Sequence, residues 1–392
     1  MRNDYAERLH GERVLVLGAS GFLGGRLVER LVCECNTRVR IMVRRVMSAS
    51  AITRFPIELA VGDIRDGAAV TAAAAGCRVV FNCVMGKGAD AAARRAADVD
   101  GSSHVVEAAG RANARVVHVS TMAVYDRPDD GDFDESTSYA PSGDPYTDAK
   151  RAGERRALER GAKMGVSVAV VQPTVVYGPR AGVHGADILE EMRAHRLVLV
   201  NGGTGICNAV YVDDAVTALL LAATTDRAAG ERILISGPEH PTWRDFFASF
   251  ERIVGRSATI SLSEAEALSL WRASRKRPWL IAEALRLLRH DAALRRRLLA
   301  TREGALIRRV VHRSVSLDTR QRLLRAAADN ENASEPPVAA VRPWVVRNMA
   351  SRARARLDKA RDVLGYTPVF PLDRGMRLTE QWARWAGLAP AS

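Results

Sequence analysis

Cysteine is scarce in this sequence, which contains five of these residues and no C-x-x-C pair. Zinc sites and redox-active disulfides depend on closely spaced cysteines, so this pattern excludes the common forms of both. We therefore expect free thiols in a reducing compartment and no metal site.

Long apolar runs are also missing. None approaches the roughly 18 consecutive residues that a membrane-spanning helix needs. Residues 1–12 are rich in charge and lack the apolar core of a signal peptide. These two absences lead us to expect a cytoplasmic protein.

Lysine is rare as well, because only five of the 58 basic residues are lysines. A single arginine is therefore background in this chain, and only clusters of arginine are informative. The net charge of +13 is unevenly distributed, since residues 251–392 carry +14 and residues 1–250 carry −1.

A basic helical segment at about 270–330 combines this positive charge with an amphipathic pattern. Three interpretations stay open: a lid over a phosphate-bearing substrate, a peripheral anchor on an anionic membrane, or a helical insertion whose basic face is solvated. No nucleic-acid partner is expected, because exposed aromatic residues are not interleaved with the charge.

The most informative stretch that is present runs from Val14 to Gly24 and reads V-L-V-L-G-A-S-G-F-L-G. Its four apolar residues predict a buried strand, and the helical periodicity that begins at Phe22 predicts a helix. Glycines at three-residue spacing let the backbone approach a pyrophosphate, which the helix N-terminus attracts. The stretch therefore predicts the first half of a dinucleotide-binding unit.

The rest of the chain repeats this alternation of strand and helix. Further strands are predicted at 38–43, 59–61, 79–84, 115–120, 166–172 and 233–236, and helical patterns lie between most of them. We predict a doubly wound α/β fold: a parallel Rossmann sheet with a smaller, mostly helical C-terminal substrate domain.

The domain boundaries follow from the same pattern. We assign residues 1–180 to the dinucleotide-binding domain, with 206–236 returning to it. Residues 181–205 and 237–392 form the substrate-binding region. Within that region, 243–330 and 351–364 are predicted to be helical.

Two strand ends carry residues suited to the adenosine half of a dinucleotide. Arg44 follows the second strand, where an arginine favours the 2′-phosphate of NADP, although it could also be an ordinary surface arginine. Asp63 follows the third strand and could accept a hydrogen bond from an adenine amino group. Its alternative role is to cap the following helix.

A Y-x-x-x-K pair, Tyr146 and Lys150, begins a predicted helix over 147–164 and follows a strand that ends in Ser120-Thr121. Residues four apart share one helix face, so both side chains can meet one ligand. Seven tyrosines and five lysines would give about 0.09 such pairs by chance. The alternative is an ordinary surface turn of helix.

Together these motifs resemble the extended short-chain dehydrogenase/reductase family, the NAD(P)-dependent epimerases and dehydratases. The matching motifs are G-A-S-G-F-L-G (18–24), G-D-I (62–64), S-T-M-A-V-Y (120–125), Y-T-D-A-K (146–150), P-T-V-V-Y-G-P (173–179), V-Y-V-D-D (210–214) and L-G-Y-T-P (364–368). They occur in the family's order and leave 250–350 largely uncovered.

The resemblance implies roles for individual residues. Tyr146 would be the acid/base, Lys150 would bind the nicotinamide ribose, and Thr121, rather than Ser120, would hydrogen-bond the reacting oxygen. The implied cofactor-binding residues are Gly18, Ser20, Gly21, Phe22, Leu23, Gly24, Arg44, Asp63, Ile64, Asn82, Lys150, Pro173 and Val176. The implied cofactor is NADP, with NAD possible, and the implied assembly is a homodimer.

Several positions depart from the family pattern. Met122 and Ala123 stand where dehydratases place Asp-Glu, which argues against dehydration. Cys207 and Asn208 stand where nucleotide-sugar enzymes often carry a phosphate-binding arginine, which weakens that substrate assignment.

Two further departures are Asp98, where the family usually has asparagine, and Gln172, where a basic residue is common. His184 and His195 are interpreted as solvated or structural rather than catalytic.

We therefore predict an NAD(P)-dependent oxidoreductase or epimerase that moves hydride between nicotinamide and a secondary alcohol or ketone, with nucleotide-linked sugars among the candidate substrates. Reduction and epimerisation are not separable from the sequence. The alternative is a non-catalytic dinucleotide sensor whose basic helices bind an anionic partner or membrane surface.

Overall fold

The fold was analysed in a computed structural model that describes residues 4–86, 91–140, 143–276 and 338–389. Most of the predicted basic segment at 270–330 lies outside the described residues. The three interpretations given for it therefore stay predictions. Among the described helices, none is both long and apolar enough to cross a membrane.

The strands of the described ranges are named here in chain order. They are β1 (Arg13–Leu17), β2 (Arg38–Val43), β3 (Ile57–Val61), β4 (Val79–Asn82), β5 (Arg115–Val119), β6 (Asp132–Phe133), β7 (Val168–Pro173), β8 (Val175–Tyr177), β9 (Leu197–Val200), β10 (Ala209–Tyr211), β11 (Arg232–Ile235), β12 (Thr259–Leu262) and β13 (Arg354–Ala355).

The α-helices are named in the same way. They are α1 (Asp4–Leu9), α2 (Phe22–Cys33), α3 (Gly67–Ala74), α4 (Ala91–Arg95), α5 (Gly101–Ala112), α6 (Pro145–Met164), α7 (Asp187–Ala194), α8 (Val212–Thr224), α9 (Trp243–Val254), α10 (Glu264–Lys276), α11 (Pro343–Ala350), α12 (Asp358–Leu364) and α13 (Leu372–Trp385).

A seven-stranded parallel sheet in the order β11-β7-β5-β4-β1-β2-β3 forms the centre of the molecule. Its inner strands are rich in valine, leucine and isoleucine, because helices cover both faces of the sheet. All the strands predicted for this sheet are present, with ends shifted by about one or two residues, as is usual for such boundaries. The doubly wound prediction is confirmed.

Successive residues of β1 show how the sheet divides the core. Val14 and Val16 pack on one face with residues of α2 and α8. Leu15 and Leu17 pack on the other face with residues of α3, α5 and α6. Side chains alternate between the faces of a strand, so a continuous apolar run is required where both faces are buried.

Three small parallel pairs lie outside the main sheet: β8 with β10, β9 with β12, and β6 with β13. The last two correct the prediction. The helical pattern predicted from residue 243 is interrupted by β12, whose Thr259 and Leu262 pair with Leu197 and Val200 of β9. Short-range periodicity did not show this pairing, because its partner lies far away in the chain.

The helix predicted over 351–364 is also partly wrong. Only α12 is helical there, and β13 precedes it. Ala353 and Ala355 are buried while the arginines between and beside them are exposed, which is the alternation of a strand. Pairing of Arg354 and Ala355 with Asp132 and Phe133 fixes this extended conformation.

Candidate functional site

The carboxyl ends of β1 and β4 meet at the glycine-rich turn. Gly18 has φ +76°, and a Cβ atom there would lie 2.6 Å from the carbonyl oxygen of Cys83. A Cβ on Gly24 would overlap the carbonyl oxygen of Gly18. Both positions therefore require glycine, and the tight packing brings α2 against the edge of the sheet.

The start of α2 leaves backbone donors free for a ligand. Gly21 is its N-cap and provides no side-chain cap, so the first N–H groups, which include those of Phe22 and Leu23, have no side-chain acceptor at the cap. Ser20 is exposed beside them. This arrangement suits a phosphate group.

The end of β2 and the residues after β3 form a charged surface. Arg44 is exposed. The Asp63 carboxylate accepts hydrogen bonds from the Arg65 side chain at 3.0 and 2.8 Å, and Arg65, followed at longer range by Arg44, lowers the pKa of Asp63 to about 2. Ile64 is buried.

Asp63 is not a helix cap, which corrects the alternative given above. The N-cap of α3 is Asp66, whose side chain accepts from the backbone N–H groups of Ala68 and Ala69. The carboxylate of Asp63 is therefore held by Arg65 rather than by the helix.

Lys150 has the most hydrogen-bond partners among the three residues predicted to be catalytic. It is 4% exposed, and its Nζ donates to the carbonyl oxygens of Val84 at 2.8 Å and Val119 at 3.4 Å. The same atom lies 3.2 Å from Oδ1 of Asp98. Helix α6 is thereby tied to the ends of β4 and β5.

Tyr146 lies one helical turn before Lys150, in the first turn of α6, and is half-buried. The helix begins at Pro145 because the side chain of Asp144 caps it by accepting from the N–H of Thr147 at 2.8 Å. The cap fixes the turn that carries Tyr146 on the same face as Lys150.

Thr121 is the second residue after β5, whose last residue, Val119, accepts a hydrogen bond from Lys150 through its carbonyl oxygen. It is half-buried, and its Oγ1 accepts from the N–H of Ala123 at 3.2 Å. Ser120 is 3% exposed, so its hydroxyl is much less accessible. The difference in burial supports Thr121 over Ser120.

Asn82 ends β4 and supports Lys150 indirectly. It is 3% exposed, and its Oδ1 accepts from the N–H of Val84, whose carbonyl oxygen in turn receives Lys150. Its Nδ2 lies 3.2 Å from Nδ1 of His118. Burial, reinforced by the Lys150 charge, lowers the pKa of His118 to about 3.

Pro173 and Val176 lie at the same edge of the sheet. Pro173 ends β7, and Val176 is the middle residue of β8. Burial lowers the pKa of His184 to about 4, and a backbone hydrogen bond to Val176 opposes this shift. His195 lies 3.0 Å from the Glu191 carboxylate on the same helical turn, in keeping with a structural role.

The two departures from the family pattern at Cys207 and Asn208 are structural. Cys207 and Asn208 are fully buried. Nδ2 of Asn208 donates to the carbonyl oxygen of Ala353, and its Oδ1 accepts from the N–H of Ala355. Asn208 therefore fastens the β13 segment to the core.

Arg127 is a residue that the sequence analysis missed. One of its terminal nitrogens donates to Asn348, and the other, Nη1, is buried without a hydrogen-bond partner. Burial lowers its pKa to about 10; the nearby Arg347 adds to the shift and Cys207 opposes it. No carboxylate pairs with Arg127 in the ranges that the structure describes. In a chain with 53 arginines, no sequence signal distinguished it.

The site has the parts that a dinucleotide needs. Glycines at positions that exclude a Cβ, free N–H groups at the start of α2, an arginine after β2 and a fixed ammonium after β4 all lie along the carboxyl edge of the sheet. Among the described residues, no group of three His, Cys, Asp or Glu side chains is placed to hold a metal ion.

Comparisons with known proteins agree with this geometry. A model of the NAD dependent epimerase/dehydratase family matches residues 14–236. The chain is 28% identical over 250 residues to sterol demethylase protein B of Methylococcus capsulatus, covering 62% of this chain and 74% of that protein. It is 30% identical over 265 residues to a 2-alkyl-3-oxoalkanoate reductase of Stenotrophomonas maltophilia, covering 62% and 76%.

Among solved structures, a UDP-glucuronic acid 4-epimerase from Bacillus cereus, in complex with UDP-glucuronic acid and NAD, superimposes with a TM-score of 0.64. The two sequences are 17% identical, and the match covers 95% of this chain and 99% of the epimerase. At that level of identity the likeness establishes the fold.

Proposed function

The chain belongs to the NAD dependent epimerase/dehydratase family, and from this premise we propose that it is an oxidoreductase that interconverts a secondary alcohol and a ketone with NADP(H). One observation carries the proposal: Lys150 is buried on the helix face that also carries Tyr146, and it donates to carbonyl oxygens after β4 and at the end of β5, two residues before Thr121.

The residue types suit this chemistry. When bound, the nicotinamide supplies or accepts the hydride. Tyr146 exchanges the proton of the substrate oxygen, and Thr121 donates a hydrogen bond to that oxygen. The ammonium of Lys150 would donate hydrogen bonds to ribose hydroxyls.

Dehydration is not part of the proposal. Met122 is buried at 6% exposure, and Ala123 follows it. Neither side chain can act as the acid or base that elimination of water needs. An alcohol–ketone interconversion requires only the Tyr146 proton.

NADP is favoured over NAD by Arg44. Its exposed guanidinium follows β2, near Asp63, whose carboxylate Arg65 already occupies. The carboxylate is thus neutralised, and Arg44 is available for the 2′-phosphate.

The substrate is proposed to be anionic, with nucleotide-linked sugars as the leading class. A buried guanidinium without a carboxylate partner is costly, and an anion bound beside Arg127 and Arg347 would remove that cost. Arg127 also lies close to the predicted site. It adjoins Cys207, and the carbonyl oxygen of the next residue, Asn208, accepts from the N–H of Val175 in β8, the strand that carries Val176.

A hydrophobic ketone is the second candidate. Cys207 is fully buried in the core and offers a phosphate no charged group. Two of the curated relatives are named as a sterol demethylase component and a 2-alkyl-3-oxoalkanoate reductase. Both candidates use the same catalytic residues and differ only in what binds beyond the reacting carbon.

A substrate panel tests the proposal. Purified protein with NADPH or NADP is offered nucleotide sugars and hydrophobic ketones or alcohols, and absorbance at the reduced-nicotinamide band is followed. We expect turnover with at least one class and a preference for NADPH. No turnover and no binding of either cofactor would contradict the proposal. Light scattering of the same preparation tests the expected homodimer.

A further inference from the structure

Four polar side chains form one hydrogen-bonded chain behind the catalytic helix. The hydroxyl of Tyr139 donates to Oε1 of Glu154 at 2.8 Å, and Nε2 of Gln172 donates to Oε2 of the same carboxylate at 2.9 Å. The hydroxyl of Tyr125 donates to Oε1 of Gln172 at 2.5 Å. Glu154 and Gln172 are fully buried, and Tyr125 is 3% exposed.

Gln172 is the hub of this network because of its chemistry. An ionised carboxylate only accepts hydrogen bonds, and here the phenol donates, so the residue between them must donate on one side and accept on the other. A primary amide does both with a single orientation. No ion pair to Glu154 is present in the described part of the chain. The hydrogen bonds from Tyr139 and Gln172 therefore offset the cost of burying its carboxyl group.

Three members of the network lie close in the chain to predicted site residues. Tyr125 ends the short turn that begins at Thr121, and Glu154 lies one helical turn after Lys150 on α6. Gln172 immediately precedes Pro173 at the end of β7. The network therefore joins the three segments that carry Thr121, Lys150 and Pro173.

From this juxtaposition we propose that Gln172 is a positioning residue for the reaction, whose amide fixes the spacing between the Thr121 hydroxyl and the Tyr146–Lys150 face of α6. The inference rests on the proposed function, since it concerns the residues that this function uses. Misplacing reacting groups by about 1 Å can cost about 100-fold in rate, so the effect is measurable.

The other charged groups around the network define its response to pH. The guanidinium of Arg232 lies 5.1 Å from the centre of the Tyr139 ring and donates to the carbonyl oxygen of Glu135. Burial, and secondarily the Glu154 carboxylate, raises the pKa of Tyr139 to about 12. A carboxyl group at position 172 would face Glu154 directly and would have to stay protonated to donate to it.

Three variants test the inference against wild type: Gln172→Leu, Gln172→Glu and, as a control, Thr379→Val. Thr379 is fully buried in α13, and its hydroxyl donates to the carbonyl oxygen of Gly375, so the control also loses one buried hydrogen bond. Turnover, NADPH affinity and thermal unfolding are measured from pH 6 to pH 8, well below the unfolding temperature.

We expect Gln172→Leu to lower kcat by about 10–100-fold at every pH while NADPH affinity changes less than about 3-fold. Gln172→Glu should lose activity at pH 8 and recover it several-fold relative to wild type at pH 6. Thr379→Val should keep the wild-type kcat.

The outcomes separate this inference from the proposed function. An inactive wild type refutes the proposed function, and this inference with it. An active wild type with near-wild-type kcat in Gln172→Leu overturns the inference alone. If Gln172→Leu does not fold, Tyr125→Phe takes its place, because this variant keeps the ring stacked on Tyr139. Its kcat should fall by at least about 5-fold. A Tyr125→Phe enzyme with the wild-type kcat would equally overturn the inference.

Discussion

At the scale of single residues, the candidate chemistry is concentrated in three side chains that the fold treats differently. Lys150 is buried among two carbonyl oxygens and a carboxylate, whereas Tyr146 and Thr121 stay partly open to a ligand. A fixed cation beside two accessible hydroxyl groups suits proton exchange with a substrate oxygen.

The first prediction concerns Tyr146→Phe, which keeps the ring and removes the hydroxyl. Turnover should fall by about 10²–10⁴-fold, the usual contribution of a positioned acid/base, while NADPH affinity stays close to wild type. Steady-state kinetics and fluorescence titration measure the two quantities. Thr121→Val should cost less. A Tyr146→Phe enzyme with nearly full activity would refute the assigned role.

The second prediction concerns Lys150 and Asp98, which are both about 4% exposed. Lys150→Met leaves the Asp98 carboxylate buried without its cation, so the free energy of unfolding should fall by about 3–5 kcal/mol. Lys150→Met combined with Asp98→Asn should recover most of that stability but no activity. Urea unfolding and turnover separate the two roles. If the double variant is as unstable as the single one, the pair is not what stabilises this site.

The third prediction concerns cofactor choice at Arg44. A charge-assisted contact with the 2′-phosphate contributes about 1.5–3 kcal/mol, so Arg44→Asp should weaken NADPH binding by roughly 10–100-fold relative to NADH. Arg45→Asp is a matched neighbouring control and should change the ratio far less. Equal affinities for both cofactors in the wild type would remove the basis for NADP.

At the scale of elements, the position of Tyr146 depends on the N-terminal cap of α6. Asp144 caps its first turn, where Tyr146 lies, just as Asp66 caps α3, which carries no assigned catalytic residue. Both helices begin at an aspartate cap, but only α6 carries an assigned catalytic residue in its first turn.

This contrast gives the fourth prediction. Asp144→Ala and Asp66→Ala should each lower the free energy of unfolding by about 0.5–2 kcal/mol. Only Asp144→Ala should also lower kcat, because fraying of its turn moves Tyr146. Thermal unfolding and turnover of the two variants provide the comparison. Equal kcat values would show that Tyr146 is held by contacts other than the cap.

At the scale of the whole molecule, distant segments are fastened to the sheet by buried polar groups. The Asp214 carboxylate accepts from the N–H groups of Val369 and Phe370 at 2.9 and 3.0 Å, and the Tyr366 hydroxyl donates to the carbonyl oxygen of Ser236. The L-G-Y-T-P motif (364–368) therefore serves to anchor the C-terminal region.

The fifth prediction concerns stability against acid. Burial lowers the pKa of His118 to about 3 and that of His184 to about 4, against about 6.5 in an unfolded chain. The unfolded state binds more protons below pH 6.5, so stability is present above that pH and is lost as the pH falls toward 4. At pH 5 the buried His118 should cost about 2 kcal/mol, and the partly buried His184 should cost less.

Urea unfolding at pH 7.5 and pH 5 measures this loss. His184→Asn should reduce the difference between the two pH values, whereas His10→Asn, at an exposed position, should leave it unchanged. An unchanged difference in His184→Asn would mean that its imidazole is already protonated in the folded protein.

The sheet and the motifs on it could be predicted from the order of the residues alone. Strands such as β1 and β5 are buried on both faces and therefore need unbroken apolar runs, which can be recognised from a few consecutive residues. Gly24 and the Tyr146–Lys150 pair were predictable for the same reason, because Gly24 packs on the carbonyl oxygen of Gly18 and residues four apart share one helix face. Gly18 was predictable from its place in the motif, although the atom that excludes a Cβ there is the distant carbonyl oxygen of Cys83. The family resemblance drawn from those motifs is confirmed by the match over residues 14–236.

Which polar residues contact one another could be seen only in the folded chain. The pairing of β12 with β9, the burial of Arg127 beside Arg347, the Asp98–Lys150 pair and the network around Gln172 all join residues that are distant in the chain. Local periodicity reports which face of an element is buried, but it carries no information about which distant partner is buried against it. Partner choice depends on packing of the whole chain, so these contacts appear only in three dimensions.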